Sequence, residues 1–381
     1  VKSLLRKILA FFCREIGKKG VILLFDRNKS VMLGNKSHEV LVSRDTPSAL
    51  SGVLSKLSAD KLFLLADEHT MPLAHTLLRD VRFDGEHCVP AGESCKSVES
   101  LLGCLSSMES GGLTRSSVLL NFGGGSMSDL GGFAGAVFKR GLRVVNVATT
   151  LLAAVDASIG GKTGVNYMGL KNELGVVRMP ASVIVSVEAL SELPNEQWLS
   201  GYGEVVKYSL MMSGAVPQFV RSNDVLSIDS AELETIITEC ANFKLRVVAR
   251  DPHDTGYRHI LNLGHTVAHG IEAYEHERGN DIPHGIAVGR SLPVVAYISY
   301  VMKGYSRKKV ARLRHICCEA FGLLDYSCKD VDKIIEYMYR DKKNIGDGHI
   351  RMVLLDGSAN VPDVNCEVPE SLIREAIDFY C

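Results

Sequence analysis

Ser117-Val-Leu-Leu-Asn-Phe-Gly-Gly-Gly-Ser-Met-Ser-Asp129 decides how the first half of this chain is read. Ser117–Phe122 is short and apolar, as a buried strand is, and it runs straight into three glycines. From Asp129 to Lys139 the spacing becomes helical. A strand that breaks at a glycine turn and restarts as a helix aims main-chain N–H groups outward at a helix N-terminus, where phosphate binds well. The G-x-G-x-x-G spacing of a dinucleotide fingerprint is absent, so a tight turn needing glycine dihedrals explains the triplet equally well.

Outward from this stretch, strand and helix alternate. Val40–Val42, Lys61–Ala66 and Leu142–Val147 read as strands, Pro47 to Leu57 and the stretch through Leu78 as helices. Such alternation predicts a parallel sheet covered by helices, with ligands at the carboxyl ends of the strands, where Asp67 and the triplet both fall. After Pro194 the pattern changes to long helices, Glu196–Met212, Ala231–Arg250, Asn262–His276, Gly285–Met302, Arg307–Phe321 and Val331–Tyr339, with Ile350–Leu355 as a late strand or hairpin arm. The expected organisation is an extension over 1–30, an α/β Rossmann-like nucleotide-binding domain over 31–193 and an all-α metal- and substrate-binding domain over 194–381.

A chain of 381 residues suits two cores. Its formal charge of −1 lends no support to a nucleic-acid or membrane partner, so any basic residue that matters acts locally. No apolar run reaches the roughly 18 residues of a membrane helix. Arg14, Glu15, Lys18 and Lys19 interrupt the apolar N-terminal stretch, which argues against a secretion signal. The ten cysteines contain no C-x-x-C pair and fit free, mostly buried thiols in a reducing compartment, so a cytoplasmic location is expected.

Ile159-Gly-Gly-Lys-Thr163 looks like the end of a P-loop, but that motif needs glycine at position 156, where Asp156 would repel phosphate. A lysine presented to some other anion is the better reading of Lys162. His265-Thr-Val-Ala-His269 sets two imidazoles on one helix face. With His284 and Glu204 they make a carboxylate and two or three histidines, a ligand set for zinc that leaves a position open. A helical His pair is often purely structural; here Lys207, Lys244, Arg258 and Asn262 share its neighbourhood in sequence and favour a site. His-Glu-x-x-His is absent, which disfavours a zinc peptidase.

These residues together resemble the 3-dehydroquinate synthases, within the wider group of sugar-phosphate cyclases. The resemblance spans about Val31 to Leu355. Its motifs are Gly123 to Asp129, Lys139-Arg-Gly141, Thr149-Thr-Leu-Leu152, Asp156 to Thr163, Lys171-Asn172, Gly203-Glu-Val-Val-Lys207, Arg258, Leu261-Asn-Leu-Gly-His-Thr266, His284-Gly285 and Asp341-Lys-Lys-Asn344. It implies a dehydroquinate synthase-like fold, an NAD cofactor, a zinc or cobalt ion, a phosphorylated seven-carbon keto-acid sugar as substrate, and a homodimer. Carried over by position, NAD meets Asp67, Glu93, Lys96, Gly124, Gly125, Ser126, Met127, Asp129, Thr149, Thr150 and Lys171. The metal ligands are Glu204, His265 and His284. Substrate groups meet Arg140, Asp156, Lys162, Asn172, Lys207, Lys244, Arg258, Asn262, His269 and Lys342, and the catalytic roles fall to Asp254, His269, Lys162 and Lys207.

The implied reaction oxidises a ring hydroxyl, expels phosphate by β-elimination, returns the hydride, opens the ring and closes a carbocycle. Three departures from the family pattern stand out: Asp254 where Glu is common, His284-Gly-Ile286 for His-Gly-Glu, and Pro293 where it would kink a helix or shift its start. Competing readings are another sugar-phosphate cyclase, a metal-dependent polyol dehydrogenase, which would accumulate NADH, and a non-catalytic protein on a degenerate cyclase fold, which would take up no metal.

Overall fold

A computed structural model describes residues 30–35, 38–168, 170–222, 228–340, 348–357 and 361–380. The expected extension over 1–30, Ser30 apart, lies outside them, as does Lys342. The chain divides into two compact units. One comprises the residues through Val147 with Gly161–Glu188; the other comprises Ala148–Gly160 with Ala189–Cys381. Residues 148–160 therefore group with the helical unit, although they precede the last strand of the sheet.

The first unit contains β1 (Ser30–Asn35), β2 (His38–Ser43), β3 (Leu62–Asp67), β4 (Gly85–Val89), β5 (Val118–Gly123), β6 (Arg143–Ala148), β7 (Lys162–Tyr167), β8 (Leu170–Val177) and β9 (Ser182–Ser186). Its helices are α1 (Thr46–Leu57), α2 (Thr70–Leu77), α3 (Val98–Ser110) and α4 (Gly125–Val137). Seven strands form one sheet in the order β1-β2-β9-β6-β5-β3-β4. β1 pairs antiparallel with β2, whereas the β2–β9, β3–β4 and β3–β5 pairs are parallel.

Both faces are covered, so the central strands are apolar throughout. Leu62, Leu64 and Ala66 enter one core with Leu50, Val53 and Ala74 of α1 and α2; Phe63 and Leu65 enter the other with Cys104, Leu130 and Ala134 of α3 and α4. Next to β3 the chain first adds β4 on one side and then β5 on the other. This reversal makes the carboxyl ends of β3 and β5, at Asp67 and Gly123, the switch point where open α/β sheets take ligands.

α4 starts at Gly125, ahead of the expected Asp129, so the glycine triplet is itself the helix start. It packs so close to β5 that a Cβ on Gly131 would overlap the Asn121 side chain. β7 and β8 form an antiparallel hairpin, and β7 begins at Lys162.

The second unit begins, after the short α5 (Val187–Leu190), with α6 (Asn195–Ser209), α7 (Ala215–Ser222), α8 (Ser230–Arg250), α9 (His265–Glu277) and α10 (His284–Lys303). It continues through α11 (Arg307–Phe321), α12 (Cys328–Tyr339), β10 (Ile350–Leu354), β11 (Asp363–Val368) and α13 (Glu370–Tyr380). The unit is helical as expected, and Ile350–Leu355, read as a late strand or hairpin arm, forms with β11 an antiparallel hairpin.

α10 is the one helix among the described residues long and apolar enough to cross a membrane. It is instead a core helix, packed on α6, α9, α11 and α13. It runs through Pro293 without ending, and Leu292, Pro293 and Val294 are all buried. α6 and α10 touch backbone to backbone. A Cβ on Gly203 would overlap the Gly285 carbonyl, and one on Gly285 would overlap the Ser200 carbonyl. This contact is what sets Glu204 of α6 beside His284 of α10. The eight cysteines among the described residues are all free thiols, four of them buried.

Candidate active site and metal centre

In the first unit the candidate cofactor residues gather at the start of α4. Lys96 is almost fully buried, and its ammonium pairs with Asp129 at 2.8 Å and Glu93 at 3.4 Å. It also donates to the Asn172 side chain. Burial alone would depress the Lys96 pKa, but the two carboxylates outweigh it and the pKa is raised. Ser126 donates to Glu93 at 3.3 Å.

Asn166, which sequence reading missed, ties the cluster to the hairpin. Its amide donates to Glu93 at 3.0 Å and its oxygen accepts from the Asn172 main chain at 2.9 Å. Asp67 Oδ1 accepts from the main chains of His69 and Thr70, and Thr70 Oγ1 donates to the Phe122 carbonyl, which joins the ends of β3 and β5. Gly124 is the helix cap and Gly125 the first helical residue. The Met127 side chain lies in the core, so only its main chain is left for a ligand. Lys162 and Lys171 are exposed on the hairpin, and Arg140 is exposed with a left-handed backbone, φ 65°.

Thr149 and Thr150 belong to the second unit. Thr150 Oγ1 accepts from Ala153, whereas the buried Thr149 Oγ1 has no hydrogen-bond partner among the described residues. The segment then makes a π-helical turn, Ala153–Ala157. Such turns are rare and often functional; this one presents Asp156 to α6 and α8. Lys244 Nζ lies 2.8 Å from Asp156 Oδ1, Lys207 Nζ lies 4.0 Å from it, and the Tyr208 hydroxyl donates to it. Tyr208 was not picked out from sequence; its sole signal was its place beside Lys207.

Burial works to raise the Asp156 pKa, but the two ammonium groups and the hydrogen bonds hold it well below the usual carboxylate range. Burial pushes Lys244 down to about 8, against the pull of Asp156 and helped by the nearby Arg258 and Lys207.

Arg258 is fully buried. Its Nη2 donates to the Gly160 carbonyl at 2.9 Å, and Nε has no partner among the described residues. Its place is fixed by Asp251, another residue missed from sequence. The Asp251 carboxylate accepts from the main chains of Thr255, Gly256 and Arg258 at 3.0, 2.8 and 3.0 Å. Asp254 sits inside this turn in a left-handed conformation, φ 59°. Asn262 ends a short 3-10 turn that leads through Gly264 into α9.

Glu204, His265 and His284 come together, with ligand atoms all within 4.8 Å of one another. His265 Nε2 is 3.6 Å and His284 Nε2 3.5 Å from Glu204 Oε1. Lys207 forms an ion pair with Glu204 Oε2. Glu204 is wholly buried, and neither of its oxygens accepts a hydrogen bond of regular geometry. A buried carboxylate in that state, facing two imidazole nitrogens, fits a divalent cation. His269 stands beside both rings, 5.6 and 6.2 Å away between centroids. Burial disfavours protonated His284, but Glu272 and Glu204 outweigh it and lift its pKa to about 10.

A solved 2-deoxy-scyllo-inosose synthase complexed with carbaglucose-6-phosphate, NAD+ and Co2+ superposes with a TM-score of 0.79 at 24% identity, over 93% of this chain and 100% of that one. A 2-epi-5-epi-valiolone synthase from Streptomyces hygroscopicus with NAD+ and Zn2+ bound superposes with a TM-score of 0.77 at 21% identity, over 91% and 98%. These likenesses define the class of fold, an α/β sheet unit followed by a helical unit.

Sequence similarity narrows the class. Residues 86–200 match the family described as 3-dehydroquinate synthase N-terminal, and residues 201–344 match 3-dehydroquinate synthase C-terminal. The 3-dehydroquinate synthase of Parabacteroides distasonis is 36% identical over 345 residues, 90% of this chain and 97% of its own length. The chain belongs to the 3-dehydroquinate synthases, lyases of the shikimate pathway (EC 4.2.3.4).

Proposed function

We propose that this chain converts 3-deoxy-D-arabino-heptulosonate 7-phosphate to 3-dehydroquinate and phosphate with a divalent metal, zinc or cobalt, held by Glu204, His265 and His284, and with NAD bound at the glycine turn of α4. The observation that carries the metal reading is the buried Glu204 carboxylate, whose Oε1 faces two imidazole nitrogens. When bound, NAD supplies a reversible hydride acceptor and the metal a Lewis acid that lowers the pKa of the hydroxyl to be oxidised.

The chain's own residues do the rest. Lys244 and Arg258 are assigned to the substrate carboxylate, with Arg258 presenting Nε from a buried and rigidly held position. Asp156 keeps Lys244 and Lys207 in place as their shared counter-charge. His269, beside the metal ligands, and Asp254, in the Arg258 turn, are the assigned proton carriers; Asp254 reaches one methylene less than the Glu common in the family. Asn262 is assigned to substrate by position. The roles of Lys162, Asn172, Arg140 and Lys342 toward phosphate, and of Lys171 toward NAD, rest on the family resemblance alone.

Metal must displace a proton from His284, since the metal-free imidazole stays protonated through neutral pH. The acid limb of activity therefore reflects metal loss. The test of the reaction is release of phosphate from the heptulosonate phosphate by purified protein with NAD and Zn2+, without accumulation of NADH and abolished by chelator. Absence of phosphate release under these conditions refutes it.

The alkaline limb follows from Lys244. Its ammonium, with a pKa of about 8, loses its charge as pH rises through that value, and its hold on a carboxylate goes with it. KM for the substrate is expected to rise by about tenfold per pH unit above about 8. Lys244→Arg, whose guanidinium stays charged, moves this break out of the range.

The protein is further proposed to act as a homodimer in the cytoplasm. The β7–β8 hairpin supports the dimer. Tyr167, Met168, Leu170, Val176 and Val177 are all exposed on it, and an apolar patch of this kind marks an interaction surface. A second copy covering this face buries them. Sedimentation of the wild type at twice the chain mass, and of a Met168→Glu, Leu170→Glu double variant at the chain mass, is the expected result.

A further inference from the structure

His284 and His265 are oriented by the same device. Each ring has its Nε2 toward Glu204 Oε1, at 3.5 and 3.6 Å. Each has its Nδ1 toward a fixed oxygen. For His265 that oxygen is the Leu263 carbonyl at 3.2 Å; for His284 it is Glu272 Oε1 at 2.7 Å. Glu272 lies on α9, one turn beyond His269, and is 4% exposed. The mechanism above makes no use of it.

We propose that Glu272 is a positioning residue of the metal centre: by accepting the Nδ1 proton of His284 it fixes the tautomer whose Nε2 lone pair faces Glu204 and His265. The inference rests on the metal reading of Glu204, His265 and His284. Two observations carry it. A buried carboxylate is costly unless it is bonded, and this one makes a short, direct bond to a candidate ligand from a different helix. Moreover, His269, Glu272 and His284 also lie with ligand atoms within 4.8 Å, yet a metal there competes with the Glu272 hydrogen bond for His284 Nδ1. Glu272 is better placed to orient the first centre than to build a second. Carboxylates behind metal-bound histidines fix ring orientation and raise ligand basicity.

The experiment compares metal-free wild type, Glu272→Gln and Glu272→Ala by zinc competition against a chelator, by the visible spectrum of the Co2+ form, and by melting without metal. Zinc affinity is expected to fall about 10- to 100-fold in Glu272→Ala. A smaller fall is expected in Glu272→Gln, whose amide oxygen still accepts the proton but carries no charge. The Co2+ spectrum shifts in both, and melting of the metal-free forms also falls, because each variant removes the charged partner of His284; zinc affinity and the Co2+ spectrum of the folded variants decide. Should Glu272→Ala not fold, the shape-conserving Gln variant decides. Wild-type zinc affinity and an unchanged Co2+ spectrum in the folded variants overturn the inference. Failure of the wild type itself to bind zinc overturns the metal reading instead.

Discussion

Glu204→Gln is expected to lose the metal and to lower turnover by about a thousandfold, the equivalent of the several kcal/mol that a bound cation contributes to a transition state. The substitution changes one atom and removes one charge. Glutamine cannot supply the anionic oxygen that faces both Nε2 atoms. It also strands Lys207, 1% exposed, whose remaining carboxylate partner, Asp156, lies 4.0 Å away. Removing one member of a buried pair costs about 3–5 kcal/mol, so melting of the metal-free variant falls too. Metal analysis, turnover and metal-free melting separate the two losses. A variant that keeps stoichiometric metal and a tenth of wild-type turnover contradicts the assignment.

Gly285→Ala is expected to damage the same centre without touching a ligand. Its new methyl group has no room, because the Ser200 carbonyl occupies the place where Cβ would be built. The obstacle is helix backbone and cannot rotate aside, so α6 and α10 have to separate. Overpacking of this kind costs about 1–3 kcal/mol or more. The separation also widens the 3.5 Å approach of His284 to Glu204, and zinc affinity drops at least tenfold. Gly52→Ala is the control. Gly52 lies in α1 with nothing near its would-be Cβ, and alanine there is neutral or stabilising. Equal melting and zinc affinity in Gly285→Ala and wild type would mean that the glycine contact does not set the site.

Much of this was legible before the structure because the signals are local. The buried strands around Phe63 and Leu119 and the long periodic helices after Pro194 carry their own pattern, and the His265, His269 and His284 set announces its chemistry by residue type. What was not legible depends on partners. β4, Gly85–Val89, is mixed in character and becomes a strand through its pairing with β3. β1 is a strand by pairing with β2. In the hairpin of β7 and β8, glycine, asparagine and charged residues interrupt the strand formers, and its ladder holds it.

Pro293 was expected to kink a helix or shift its start; α10 starts at His284 and runs through it. Asp251, Asn166, Tyr208 and Glu272 act by holding other side chains or main-chain groups, and no spacing rule finds such residues. The departure after His284, Ile286 for the usual glutamate, leaves the metal grouping assembled, because the glycine contact and Glu272 position His284 from elsewhere.

Zinc K-edge X-ray absorption of the loaded protein reads the metal's ligands themselves. Two imidazole nitrogens and oxygen donors at about 2.0–2.2 Å are expected, with one imidazole lost on substitution of His284. A first shell containing sulfur, or one unchanged when His284 is replaced, would contradict the assigned centre.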